Sequence, residues 1–182
     1  YEVDVDTAGA VTLVAHAVLP AALCADDEVV FRIRGGTPVR WSPTYEHLTE
    51  VFLPLLRDAG ADVSAELVRR GHYPQGGGEV VLRVSPSSLS SVEPRRAELE
   101  RVTGVSHACG LPKGIVERQA EAARDELAGL DAPVEIEEVH VDEAPSKGTA
   151  VTLVGHAGTR IGGSGVGECG KSAEEVGGEA GK

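Results

Sequence analysis

The stretch from residue 31 to residue 84 constrains the fold more than any other part of the chain. It opens with an alternating apolar pattern that is typical of a strand. Apolar residues then recur at three- and four-residue spacing over 45–59, which predicts an amphipathic helix. Two further strand-like runs, at 61–70 and 79–85, are joined by a loop that contains three glycines. This order predicts a β-α-β-β unit with an antiparallel pair at its end.

The predicted helix has recognisable end signals. Ser42 can accept a hydrogen bond from the free N–H groups of a first turn, and Pro43 suits the first helical position. Pro54 is expected to kink the helix near its last two turns, and Gly60 is expected to end it.

Two features of this unit are candidates for anion binding, and each has a structural alternative. Arg32 and Arg34 share one face of the first strand, where they form either an anion contact or a solvated outer face. The glycines at 76–78 could cradle a phosphate, but phosphate-binding loops lead directly into a helix. A strand follows here, which favours a plain strand connection.

The remaining sequence predicts neighbours of this unit. Residues 1–6 alternate as a strand does, and Thr7 can cap a helix over 7–24 that is apolar nearly all round and therefore expected to be buried on most sides. A Ser- and Pro-rich passage at 85–93 marks a boundary. Beyond it the pattern predicts, in order, a strand at 98–108, a helix at 112–130, and strands at 134–141 and 149–158.

The C-terminal end predicts one more helix. Ser172 and Glu175 have the spacing of a capping box, in which each side chain bonds the other residue's backbone N–H. Gly177, Gly178 and Gly181 follow, and glycine weakens a helix. The helix is expected to have only begun where the sequence stops.

Charge and cysteine content narrow the function classes. The net charge is −12, from 29 acidic and 17 basic residues, and such an acidic, lysine-poor surface suits a halophilic source. Residues 31–84 differ, with seven arginines against six acidic residues, so an anionic ligand meets the least repulsion there. Three widely spaced cysteines favour a reduced intracellular compartment over a disulfide framework or a zinc site. The apolar run at 8–23 is short and interrupted, which favours a buried helix over a membrane span.

Several longer motifs resemble the RNA 3′-terminal phosphate cyclase family. The resemblance is carried by RGGTPVRWSP, EVFLPLLRDAG and RRGHYPQGGGEVVLRVSP. The motifs DTAGAVTLVAHAVLP, VSHACGLPKGIVERQAEAA and GKSAEEVG extend it from about Asp4 to Val176. It implies an α+β fold of repeated β-α-β-α-β-β units, of the cyclase and enolpyruvyl transferase type, with a small inserted α/β domain. On that basis residues 1–94 are one repeat of the large domain, 95–165 the insert, and 166–182 the start of the next repeat.

The resemblance also implies a chemistry. The family uses ATP to convert an RNA 3′-phosphate into a 2′,3′-cyclic phosphate: a histidine takes AMP from ATP, the AMP moves to the RNA phosphate, and the neighbouring 2′-hydroxyl displaces it. The implied cofactors are ATP and a divalent metal, Mg²⁺ or Mn²⁺, the implied partner is RNA with a 3′-phosphate end, and the implied location is the cytoplasm, with no membrane association. The family's nucleophilic histidine and its first repeat have no counterpart here. We therefore expect an internal fragment, inactive alone, with no catalytic and no metal-binding residue, and able to self-associate through its incomplete repeat surface.

Two nucleotide-contact positions carry over from the family, at His16 and Pro43. His16 stands where the family usually has a glutamine, and an imidazole can replace an amide as donor or acceptor, with a shorter reach. Each residue also has a purely structural explanation, as a core histidine and as a helix-start proline.

Two other functions stay open at this point. A noncatalytic relative of the cyclases, acting in ribosome assembly and ribosomal RNA processing, is mildly favoured by the substitution at His16, whereas the GGT motif and Pro43 favour the catalytic branch. An enolpyruvyl transferase of similar fold is disfavoured by the series of motifs.

Overall fold

The computed structural model describes residues 1–182, except the side chain of residue 96. The chain forms two compact units, Tyr1–Glu93 and Pro94–Lys182. Both combine helices with a mixed sheet, which confirms the α+β prediction. Residues 166–182 belong to the second unit, and their assignment to a further repeat stays a prediction.

The first unit is a four-stranded sheet with helices on one face. Its elements are β1 (Glu2–Asp4), α1 (Val11–Leu23), β2 (Val29–Gly35), α2 (Tyr45–His47), a π-helical turn (Leu48–Phe52), α3 (Leu53–Asp58), β3 (Asp62–Arg69) and β4 (Gly78–Ser85). The strand order is β1-β2-β4-β3, with β1 parallel to β2 and the other neighbours antiparallel.

The core of the first unit lies between the sheet and the helices. Alternate residues of β2 and β4, Ile33, Val80, Leu82 and Val84, are almost completely buried. They pack against residues of α1 and of the second helical segment, including Leu48. Because side chains alternate along a strand, the intervening residues of β2, Arg32 and Arg34, lie on the opposite face.

Helix α1 departs from the prediction in two ways. It begins at Val11, with Ala10 and not Thr7 as its N-cap. The N–H of Val11 donates to the Gly36 carbonyl (3.0 Å), so a backbone group takes the place of the predicted side-chain cap. It is also not buried on most sides. Leu13 is 50% exposed, and Ala17, Pro20 and Ala21 are exposed with it.

The second helical segment begins two residues later than predicted. Thr44 is the N-cap, and its side chain accepts from the His47 N–H (3.2 Å), whereas the Ser42 hydroxyl donates to the Val39 carbonyl (2.8 Å) and so caps nothing. Pro43 therefore precedes the helix.

The last turn of this segment ends where the sequence predicted, at Gly60, whereas the kink expected at Pro54 stays a prediction. A π-helical turn ends directly before α3, where Pro54 occupies an early position that needs no N–H. Gly60 has a φ of +104°, and its backbone N–H donates to the Arg57 carbonyl. The backbone N–H of Ala61 donates to the Leu56 carbonyl. These two bonds are a Schellman motif, so Gly60 ends the helix as expected.

The second unit has a three-stranded sheet of order β6-β5-β7. Its elements are β5 (Arg96–Cys109), α4 (Gly114–Glu126), β6 (Val134–Val141), β7 (Gly148–Val166) and α5 (Ala173–Gly181). Strand β5 is parallel to β6 and antiparallel to β7. Strand β7 continues to Val166 through the glycine-rich residues, past residue 158, where the predicted strand ended.

Helix α5 packs on α4 at very close range. The predicted capping box is present: Glu175 N donates to Ser172 Oγ (3.1 Å), and Ser172 N donates to Glu175 Oε2 (2.7 Å). A Cβ at Gly177 would lie 2.1 Å from the Gln119 carbonyl oxygen of α4. The glycine therefore permits the helix contact and does not merely weaken α5.

Among the described residues no helix is both long and apolar enough to span a bilayer.

Candidate functional site

His16 and Pro43, the two predicted nucleotide contacts, lie on elements that are bonded to each other. Thr12, one helical turn before His16 on α1, is fully buried, and its hydroxyl donates to the Pro43 carbonyl (2.8 Å). This bond holds the segment before α2 against α1. The structure thus brings the surroundings of both predicted residues together in the first unit.

The His16 ring lies among other rings of the same helices. It meets Phe52 edge-on, with ring centroids 4.4 Å apart and planes inclined at 66°. His47, one turn after Pro43, is close enough to His16 for the two to interact electrostatically. His16 Nε2 and His47 Nδ1 are buried and have no hydrogen-bond partner among the described residues.

Burial favours the neutral form of both imidazoles. Loss of hydration lowers the pKa of His16 below 6.5, and the neighbouring His47 lowers the pKa of His16 further. Burial alone lowers the pKa of His47. A neutral imidazole can accept a hydrogen bond at one nitrogen and donate at the other.

The unpartnered nitrogen of His16 fits the predicted nucleotide contact. A buried polar atom without a partner costs about 1–3 kcal/mol, and a ligand that supplies the partner recovers part of that cost. A nucleotide offers both donors and acceptors. The His16 ring thus has one nitrogen that no group of the described residues satisfies, and its role as a nucleotide contact stays a prediction.

The arginine face of the sheet is built around a carboxylate. Glu79 of β4 is 4% exposed and forms ion pairs with Arg32, with Arg34 (Nε to Oε2, 3.3 Å) and with Arg69 (Nη2 to Oε2, 3.2 Å). The hydrogen bond from Arg32 is the main cause of a lowered Glu79 pKa; burial opposes this shift, and Arg34 adds to it. Arg32 and Arg34 therefore share an internal carboxylate as their partner, which gives the pair a structural role, although their side chains remain 43% and 39% exposed.

The triple-glycine loop connects two strands, as expected. Gly76 and Gly77 have φ near +70° and +76°, and β4 begins at Gly78. A Cβ at Gly76 would lie 2.2 Å from the Thr7 carbonyl oxygen. These glycines allow the loop to pack against the segment before α1, and no helix follows to form a phosphate site.

The six histidines of the chain are buried or partly buried. None is exposed in the part of the chain that the structure describes. His72 and His107 are buried, His140 Nε2 lies 2.7 Å from the Leu111 carbonyl oxygen, and His156 Nε2 lies 2.9 Å from Thr103 Oγ1. That none of these histidines is catalytic stays a prediction.

A divalent metal finds no ready ligand set here. No three His, Cys, Asp or Glu side chains converge on a common point among the described residues. The metal implied by the resemblance therefore has no support from these residues.

Sequence reasoning missed two residues of the site, Thr12 and His47. Thr12 could have been found from helical spacing, since it lies four residues before His16 on the same helix and residues at this spacing share a helix face. His47 has no such signal, because Pro43 precedes the helix that carries His47. What the spacing could not reveal is that α1 contacts the segment before α2.

Comparison with known proteins gives consistent similarities. A family model described as RNA 3′-terminal phosphate cyclase matches residues 1–166. Proteins named RNA 3′-terminal phosphate cyclase from Pyrobaculum aerophilum and Pyrococcus furiosus are 41% and 44% identical over 184 and 181 residues, which cover 99% and 98% of this chain. A protein of the same name from Methanothermobacter thermautotrophicus is 39% identical over 182 residues. In each case the match covers 53% of the relative, so the chain spans about half the length of these curated relatives.

Proposed function

Because the chain belongs to the RNA 3′-terminal phosphate cyclase family, we propose that it carries nucleotide-binding residues of an ATP-dependent enzyme that converts RNA 3′-phosphate ends into 2′,3′-cyclic phosphates. The partners in this proposal are ATP and RNA with a 3′-phosphate. The family also implies Mg²⁺ or Mn²⁺, but no step of the proposal depends on a metal.

One observation carries the nucleotide assignment: the unpartnered, buried Nε2 of His16. It lies on the helix that holds Pro43 in place through Thr12. In the proposed site His16 bonds a polar atom of the nucleotide, and Pro43 contributes an apolar surface beside it. The hydrogen bond from Thr12 keeps Pro43 in position.

The nucleotide assignment is tested by the affinity of this chain for ATP, measured by isothermal titration calorimetry. His16→Ala should weaken binding by about two- to tenfold, as expected for one hydrogen bond, and His16→Gln should restore it. His156→Ala is the matched control, because His156 lies in the second unit and bonds Thr103. Equal affinities of the His16→Ala and His156→Ala variants would overturn the assignment.

We further propose that the histidine nucleophile is not among the six histidines of this chain. Incubation of the chain with labelled ATP and a divalent metal should leave no covalent AMP, whereas a protein in which these residues are joined to the family's nucleophilic histidine should retain an acid-labile AMP. Covalent AMP on this chain would show that the nucleophile has been misplaced.

The second candidate is a noncatalytic relative that acts in ribosomal RNA processing. The observation in its favour is His16, at a position that is usually glutamine in the cyclases. The same labelling experiment separates the two when the sample joins these residues to the family's nucleophilic histidine, since a folded protein of that kind that never takes up AMP supports the noncatalytic function. In either case RNA affinity should be weak and should fall steeply with salt, because few cationic groups face a net charge of −12.

A further inference from the structure

Trp41 has a conformation and an exposure that folding does not explain. It is the single tryptophan of the chain, and its side chain is 88% exposed. Its φ of +62° lies in the left-handed region, which is unfavourable for a bulky residue. A large apolar ring in a strained and solvent-facing position contributes nothing to the core.

The turn that carries Trp41 is held on both sides. Ser42 bonds the Val39 carbonyl twice, through its N–H (3.2 Å) and its hydroxyl (2.8 Å). The next residue, Pro43, accepts the bond from Thr12. The strained backbone is therefore stabilised by its surroundings, a pattern that is found at functional sites.

Arg40 gives the exposed ring a charged neighbour. Its guanidinium carbon lies 4.7 Å from the centroid of the Trp41 ring, a cation–π distance. Both residues belong to the stretch 31–84, where arginines outnumber acidic residues while the rest of the chain is strongly acidic. An exposed aromatic ring beside an arginine is the combination that binds an unpaired base and its phosphate.

We propose that Trp41 stacks on an unpaired nucleobase and that Arg40 contacts the adjoining phosphate. The inference rests on the proposed function, which supplies two sources of such a base: the 3′ end of single-stranded RNA and the adenine of ATP. The position of Trp41, two residues before Pro43, places the stacked base next to the proposed nucleotide site.

The test uses the intrinsic fluorescence of this chain, since all tryptophan emission comes from Trp41. The probes are a short single-stranded RNA with a 3′-phosphate, the same RNA annealed to its complement, ATP, and inorganic tripolyphosphate as a charge control without a base. Quenching by the single strand but not by the duplex identifies RNA as the source, and quenching by ATP identifies adenine. Quenching by tripolyphosphate to the same extent would show charge binding only and overturn the stacking proposal.

Variants at the same position separate stacking from general apolar contact. Trp41→Ala and Trp41→Leu should each weaken binding of labelled RNA or ATP by about five- to a hundredfold in fluorescence anisotropy, and Trp41→Phe should keep most of the affinity. Circular dichroism should be the same for all three, because the ring lies outside the core. Unchanged affinity in Trp41→Ala would refute the inference. Such a result would leave the adenylation test, which addresses the proposed reaction, unaffected.

Discussion

Two adjacent glycines of α5 should respond in opposite directions to the same substitution. Gly177 faces α4: an added Cβ would lie 2.1 Å from the Gln119 carbonyl oxygen and 3.1 Å from the Cβ of Ala122. Gly178 faces open space, where the nearest atom is the flexible Glu126 carboxylate oxygen at 4.0 Å. We therefore expect Gly177→Ala to destabilise the second unit and Gly178→Ala to stabilise it.

The size of the effect follows from two opposing contributions. Alanine in place of glycine within a helix stabilises by about 0.5–1 kcal/mol, and Gly178→Ala should show this gain alone. Gly177→Ala has the same gain, but its methyl group must push aside the backbone of α4, and overpacking costs about 1–3 kcal/mol. The two variants should therefore differ by about 1–3 kcal/mol in the free energy of unfolding, or at least about 4 °C in Tm.

The assay is urea unfolding followed by far-ultraviolet circular dichroism, with hydrogen exchange of peptides from α4 and α5. Fluorescence is not suitable, because Trp41 lies in the first unit. In Gly177→Ala, exchange should accelerate in both helices. If the two variants shifted stability in the same direction by similar amounts, the close approach of α5 to α4 would be refuted.

Three further predictions concern the first unit. Glu79→Gln should destabilise the folded state by about 1–2 kcal/mol at neutral pH. The variant should also lose less stability than the parent on acidification. The Glu79 pKa is lowered from 4.5 on folding, so the ionised carboxylate stabilises the folded state above pH 4.5. This stabilisation is lost as the pH falls through the folded-state pKa. Urea midpoints of both proteins across this range check the sign, and parallel curves would contradict it. Thr12→Val should cost about 1 kcal/mol, because it leaves the Pro43 carbonyl without its partner, whereas Thr12→Ser should cost less; equal losses in urea unfolding would show that the hydroxyl does not matter. The lowered pKa values of His16 and His47 mean that the unfolded chain binds more protons just below pH 6.5, so stability present above pH 6.5 falls on acidification. A His16→Gln/His47→Gln double variant should lose less stability between about pH 7.5 and about pH 5.5 than the parent, and nuclear magnetic resonance titration of both imidazoles provides the direct check.

Features that depend on local chemistry were predictable from the sequence. The β-α-β-β order of residues 31–84 follows from hydrophobic periodicity, which reflects which side of each element is buried. Gly60 ends its helix because glycine readily adopts the positive φ that a helix C-terminus requires. The capping box forms because Ser172 and Glu175 are three residues apart. The identity of the family came from motifs that the chain carries in order.

Features that depend on distant parts of the chain were not predictable. Ser42 and Thr44 are both good N-cap residues, and the tertiary structure places Thr44 at the cap while the Ser42 hydroxyl donates to the Val39 carbonyl. Thr7 does not cap α1 as predicted, and the first N–H of the helix, that of Val11, donates instead to the Gly36 carbonyl. The charge of Arg32 and Arg34 was evident, but their partner Glu79 lies on a strand that is more than forty residues away.

The sequence alone determined most of the elements, some of their ends and the family, because each of these depends on residues within a few positions. Only the tertiary structure decided which faces meet. It placed His16 beside His47, bound Pro43 to Thr12 and left Trp41 in solvent. It also explained why a glycine occupies position 177: glycine weakens an isolated helix, but here the absence of a side chain allows α5 to contact α4. The physical reason is that the burial and partner of a side chain depend on atoms brought together from far along the chain.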